Sequence, residues 1–185
     1  MNKKTPLRLR YYGDPVLRQK AAPIPAVTPE IQDLIQGMFE CMYRERGIGL
    51  AAPQVGVSQR VFVVDVEDES GARTKAALVN PVVVEQSGSI VGEEGCLSIP
   101  GIHADVRRSA EVTFHALDER GAPITVSGTG LLARALQHEL DHLDGVLFID
   151  RLSAIRRKLL EPKLARMQFG DEKDSAPEPS TSPSF

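Results

Sequence analysis

The sequence predicts a single mixed α and β domain. One helix interrupts a mostly β region, with an amphipathic helix before it and a basic helix after it. Three observations carry this. At 185 residues the chain is long enough for one proper core and too short to expect two. Apolar residues recur at helical spacing in two well-separated segments, and runs rich in β-branched residues, bounded by turn signals, fill the stretch between them.

Taken in order, the residues up to about Ala26 are Pro-rich and irregular, with Asp14-Pro15 as a turn starter. Thr28 is a good N-cap and Pro29 suits the first helical position. Ile31, Leu34, Ile35, Met38, Phe39 and Met42 then recur at helical spacing until Gly47 supplies a stop. Arg60 to Val66 reads as a strand, and Ala77 to Val84 as another that Asn80-Pro81 interrupts. Val112 to Leu117 alternates, turns at Asp118 to Gly121, and finds its hairpin partner in Ile124 to Val126. From Gly130 to about Leu143 the helical period returns through Leu131, Leu132, Ala135, Leu136 and Leu140, and Gly145 ends it. Ser153 can cap a last helix from Ala154 to about Met167, in which Pro162 predicts a break or kink. Residues 1–169 are thus read as one domain. Residues 170–185, rich in Ser, Pro and acids, are expected to be a disordered tail.

Composition removes several classes of function. The formal net charge of -3 gives no general basic field for nucleic acid or anionic membrane. With no long apolar stretch and no apolar region near the start, neither a membrane span nor a secretory signal is visible, and a cytoplasmic enzyme is the expectation. Of the two cysteines, Cys41 falls within the first amphipathic helix and reads as a small apolar residue, whereas Cys96 stands in a Gly-flanked loop. The basic set Arg156, Arg157, Lys158, Lys163 and Arg166 on the last helix is either a solvated face or a contact for an anionic partner.

Gln137-His138-Glu139-Leu140-Asp141-His142 is the most informative segment. Residues four apart share one helical face, so His138 and His142 can converge on one ion while Glu139 handles a bound water. Leu136 and Leu140 partly bury this helix, and a metal relieves the cost of placing polar groups there. Asp141 and Asp144 are either groups that orient an imidazole or plain solvent-facing acids. No His follows His142, so a downstream third histidine is absent. Cys96, within Glu94-Gly95-Cys96-Leu97-Ser98, offers a thiolate that two imidazoles and a metal would stabilise. Gly47-Ile48-Gly49-Leu50-Ala51-Ala52-Pro53-Gln54 is a tight connector ending in an amide that can donate to a developing oxyanion.

Together these segments resemble the peptide deformylase family, which removes the N-formyl group from newly made bacterial and organellar proteins. The family pattern is G-x-G-x-A-A-x-Q, E-G-C-x-S and Q-H-E-x-D-H in that order. Here it stands as GIGLAAPQ, EGCLS and QHELDH, and the likeness runs from Gly13 to near Leu152. The resemblance implies an α+β fold in which antiparallel β-sheets surround the helix bearing the metal motif. It implies one divalent ion on Cys96, His138 and His142, Fe(II) physiologically, with Ni, Co or Zn as substitutes. Three protein ligands leave a position for water, which the ion acidifies; Glu139 takes the proton and returns it to the departing amine. The oxyanion donors implied are the Gln54 amide and the Leu97 backbone N–H.

The implied substrate is the N-formyl-methionyl end of a nascent polypeptide, met at the ribosome, with no nucleic acid or membrane used in catalysis. It would pair like a strand with the backbone at Ile48, Gly49 and near Gly95. Its Met side chain would enter an apolar pocket for which Ile48, Leu97, Leu131 and Ala135 are available. Arg134 either covers that pocket with its stem or is a surface charge. Glu94 and Arg108 are expected to pair beneath the Cys96 loop. His103 stands where some relatives carry Arg, and His115 reads as structural. An endopeptidase lacks its expected third ligand here, and the intact Glu139 and Gln54 argue against a non-catalytic binding module.

Overall fold

The computed structural model describes residues 6–68 and 71–168. The helices are α1 (Pro29–Arg44), α2 (Gly130–Leu143) and α3 (Ala154–Gln168). The strands are β1 (Gly49–Ala51), β2 (Val61–Glu67), β3 (Arg73–Ser87), β4 (Ile90–Cys96), β5 (Ile99–Arg108), β6 (Glu111–Leu117) and β7 (Pro123–Thr129). Five strands form one sheet in the order β1-β2-β3-β6-β7, and β4 pairs with β5 as a separate ribbon. Every pairing between these strands is antiparallel.

β2 explains why two helices can share this sheet. Its Val61-Phe62-Val63-Val64 run is buried throughout, the signature of a strand covered on both faces. Phe62, Val64 and Val66 pack with Leu132, Ala135 and Leu136 of α2, whereas Val61 and Val63 pack with Ile35, Met38 and Met42 of α1. Phe62 meets Phe114 of β6 edge to face at 6.3 Å, and burying each ring contributes about 1.5–3 kcal/mol. A third cluster joins Cys96, Ile99 and Val106 of the ribbon to Leu17, Phe148 and Leu164. Among the described residues, no helix is long and apolar enough to cross a membrane.

The expected helices, the β6–β7 hairpin and the strand at Arg60 to Val66 are present, with four differences. α1 stops through Arg46, whose φ of 61° makes the left-handed turn, while the Gly47 N–H donates to the Met42 carbonyl at 2.9 Å. Gly47 serves another need, since a Cβ there would stand 2.6 Å from Leu97 Cδ1. Asn80-Pro81 does not end a strand but produces a register shift within β3. Asn80 is held there because its side chain accepts from Ile24 N (2.9 Å) and donates to Ile24 O (2.8 Å). The Cys96 loop is instead the end of β4, with Ile99 to Gly101 already in β5. Finally, α3 runs unbroken through Pro162. A proline there removes one donor, and the carbonyl it frees, on Lys158, belongs to an exposed residue that water can satisfy. The expectation for residues 170–185 lies outside the described residues.

Candidate metal centre

α2 follows β7 directly and crosses the sheet near β1 and β2, so its inward face carries His138, Glu139 and His142 toward β1. All three side chains are buried. The two imidazoles lie one turn apart, with ring centroids separated by 5.0 Å. β4 delivers Cys96 to the same place. One ligand atom each from Cys96, His138 and His142 fall within 4.8 Å of one another, and Cys96 Sγ is 3.3 Å from His142 Nε2.

Behind His138 the polar groups form a chain of charges. His138 Nδ1 is 3.0 Å from Glu94 Oε2, which leaves Nε2 as the ring's ligating atom. Arg108 donates to both Glu94 oxygens at 2.8 Å, as expected for an ion pair beneath this segment. Arg108 also donates to Asp141, which accepts two further bonds from Arg151. Burial pushes the Glu94 carboxyl up, but the bonds from Arg108 and His138 outweigh it and hold it well below the usual carboxylate range. Asp141 is therefore a buried partner of arginines, while Asp144 is a more exposed acid paired with Arg60 at 2.8 Å. Arg134 is no surface charge. It is 5% exposed, and its Nη1 donates to Glu94 Oε1 at 2.9 Å.

In front of the histidines the arrangement differs. Both Glu139 oxygens are buried without a hydrogen-bond partner, and burial raises the carboxyl well above its ordinary range. Glu139 lies against the β1 backbone, where a Cβ on Gly49 would come within 2.9 Å of its Cδ. Only glycine leaves that room. Gln54 sits in the single helical turn Ala52–Val55 that follows β1. Its Oε1 accepts from Ala51 N at 2.8 Å, which aims Nε2 at Ser98 Oγ (3.2 Å) and Cys96 Sγ (3.6 Å). The N-terminal segment ties these pieces together, since Arg10 N donates to Gln54 O (2.7 Å) and Tyr12 N to Ser98 O (2.8 Å).

The donor set fits a divalent cation. Burial pushes the Cys96 thiol up to about 12, against the pull of bonds from Ser98, so a thiolate here needs positive charge beside it. Burial lowers both His138 and His142, keeping them neutral and able to donate lone pairs. One thiolate with two imidazoles suits several first-row ions, and the partnerless Glu139 carboxylate beside them is placed to receive a proton.

Other expected residues are distributed around this centre. Ile48, Leu131 and Ala135 belong to one apolar cluster, whereas Leu97 packs against the cluster built on α1. Gly49 and Gly95 are buried, His115 is exposed on β6, and His103 is half-buried with an unpartnered Nδ1. Sequence reading missed the Arg134–Glu94 and Arg151–Asp141 pairs. A signal existed for the first, because Arg134 precedes His138 by one turn and so shares its inward face.

The family model for polypeptide deformylase matches residues 6–158. The chain belongs to the polypeptide deformylase family. It is 48% identical over 161 residues to a peptide deformylase from Alkalilimnicola ehrlichii, covering 87% of this chain and 90% of that one. Among solved structures it resembles the Legionella pneumophila peptide deformylase with a TM-score of 0.81 and 41% identity, covering 91% and 98% of the two chains. It also resembles the Synechococcus elongatus enzyme in complex with actinonin, with a TM-score of 0.79 and 43% identity over 87% of this chain and 89% of that one. Like them, it is a metal-dependent hydrolase of the deformylase type.

Proposed function

We propose that this chain removes the formyl group from the N-terminal formyl-methionine of newly made polypeptides, releasing formate, with Cys96, His138 and His142 holding Fe(II). The observation that carries this is a buried triad of ligating atoms within 4.8 Å of one another beside a carboxylate with no partner, in a member of the deformylase family. When bound, the ion acidifies a water and polarises the formyl oxygen. Ni, Co or Zn can occupy the same donors.

The protein's own groups do the rest. Glu139 accepts the proton of the attacking water on a carboxylate oxygen and later delivers it to the departing amine; its raised affinity for a proton suits both tasks. Gln54 Nε2, aimed by Ala51, and the Leu97 backbone N–H donate to the oxyanion that forms at the formyl carbon. β1 is an edge strand of the large sheet, so the backbone at Gly49, and at Ile48 just before it, can pair with an extended peptide, with Gly95 on the ribbon opposite. The half-buried Ile48, Leu97 and Leu131 supply apolar surface for the Met side chain, with the wholly buried Ala135 packed behind Leu131 in the same helix.

The residues support one cytoplasmic domain spanning 1–169 that meets its substrate as chains leave the ribosome. The exposed Arg156, Arg157, Lys158, Lys163 and Arg166 of α3 favour an anionic surface there.

The test is an assay of the iron-loaded protein, prepared without oxygen, on a formyl-Met peptide. Formate release blocked by actinonin, with internal peptide bonds intact, is expected. Cleavage of internal bonds without formate would overturn the proposal in favour of an endopeptidase.

A further inference from the structure

Arg134 is a buried charged residue of α2 to which the proposed chemistry gives no task. Its surroundings assign one. Nη1 donates to Glu94 Oε1 (2.9 Å), to the Val106 carbonyl (3.0 Å) and to the Gly92 carbonyl (3.2 Å). These acceptors lie on β4 and β5, so the guanidinium bolts the ribbon to the helix that carries His138. Gly92 makes the seat possible. A Cβ there would stand 2.7 Å from Arg134 Nη2 and 3.1 Å from Cζ.

Glu94 is held at both oxygens. Arg108 grips it from β5 but shares its charge with Asp141, whereas Arg134 adds a second cation from α2 itself. A carboxylate held by one bidentate donor pair can still tilt about the line through its two oxygens. Fixed also on Oε1 by Arg134, it must present Oε2 to His138 Nδ1, where the distance is 3.0 Å. The direction of that bond sets the orientation of the imidazole and of its opposite nitrogen. We propose that Arg134, seated on Gly92, is a positioning residue that fixes Glu94 and through it His138, and that it does not contact the peptide.

This rests on the metal reading above, and the closing experiment separates the two. The full chain is loaded with cobalt as wild type, Arg134→Met, Arg134→Lys and Gly92→Ala. Three quantities are read: the visible spectrum of the cobalt centre, the rate of metal loss to a chelator, and kcat and KM on formyl-Met peptides of two lengths. Gly92→Ala keeps every charged group and changes only the seat. Arg134→Met and Gly92→Ala are expected to shift the spectrum and to lose metal about 10-fold faster or more, the usual scale for a group that orients a metal ligand. kcat falls while KM stays within about twofold for both peptides, and Arg134→Lys recovers part of the loss because one charged donor remains. A rise in KM that grows with peptide length, with spectrum and metal loss unchanged, would show that Arg134 touches substrate and would overturn the inference. So would variants indistinguishable from wild type. Failure of the wild type itself to bind cobalt would overturn the metal reading, and this inference with it.

Discussion

Glu94 and Glu139 are both wholly buried beside the two-histidine helix, yet their surroundings are opposite. Glu94 is met by Arg108, Arg134 and His138, and stays ionised. Glu139 meets no donor and is pushed toward its protonated form. The contrast separates a scaffold from a working face. The chain completes the back of the centre with its own charges, so the ligand geometry exists before anything binds. The front is left unsatisfied, at a cost in stability, because its partners are to be an ion, a water and a substrate.

Four changes would break or sharpen this contrast. The largest effect is expected on the working face, where Glu139→Gln removes the proton carrier and should lower kcat by about 10² to 10⁴ while a full equivalent of metal remains bound. Gln54→Ala should cost about 10² to 10³ in turnover, read in steady-state assays with the metal content matched. Gly49→Ala should displace Glu139 without altering its chemistry, and a misplacement of this kind costs up to about 10²-fold. A Gly49→Ala enzyme as fast as wild type would mean that the close approach to β1 is incidental.

The fourth change concerns stability of the metal-free protein, and the sign differs between the two carboxylates. Glu94 has a depressed folded value, so its contribution is present above the ordinary carboxylate range and is lost as pH falls through that folded value. Glu139 has a raised value, so its contribution is present at low pH and turns into a penalty as pH rises through it. Urea unfolding near pH 8 should therefore show Glu94→Gln destabilised by about 3–5 kcal/mol, as for a broken buried ion pair, and Glu139→Gln stabilised. The gain from Glu139→Gln should shrink toward pH 5. Shifts in the same direction for both variants would dissolve the contrast.

What could be read from sequence follows the same division. α2 was legible to its ends because Leu131, Leu132, Ala135, Leu136 and Leu140 keep one period and Gly145, with φ of 73°, closes it. Cys96, His138 and His142 were legible as a set, though the ribbon that delivers Cys96 was not. Gly92-Glu93-Glu94-Gly95 shows no apolar alternation, and β4 is held by its pairing with β5 and by the inward Glu94 rather than by a greasy face. β2 read cleanly because its apolar run is long, while the bulge at Asn80 depended on Ile24, 56 residues away. Arg134 shows the same limit. That it faces inward could be read from its place one turn before His138, but its partner Glu94, 40 residues earlier, could not.

The most direct measurement pairs formate release with metal content for wild type and Glu139→Gln, both loaded with iron in the absence of oxygen. The account predicts one equivalent of iron in each protein, rapid formate release from a formyl-Met peptide by the wild type, and almost none by the variant. Undiminished formate release by the variant, or a variant that cannot hold iron, would contradict it.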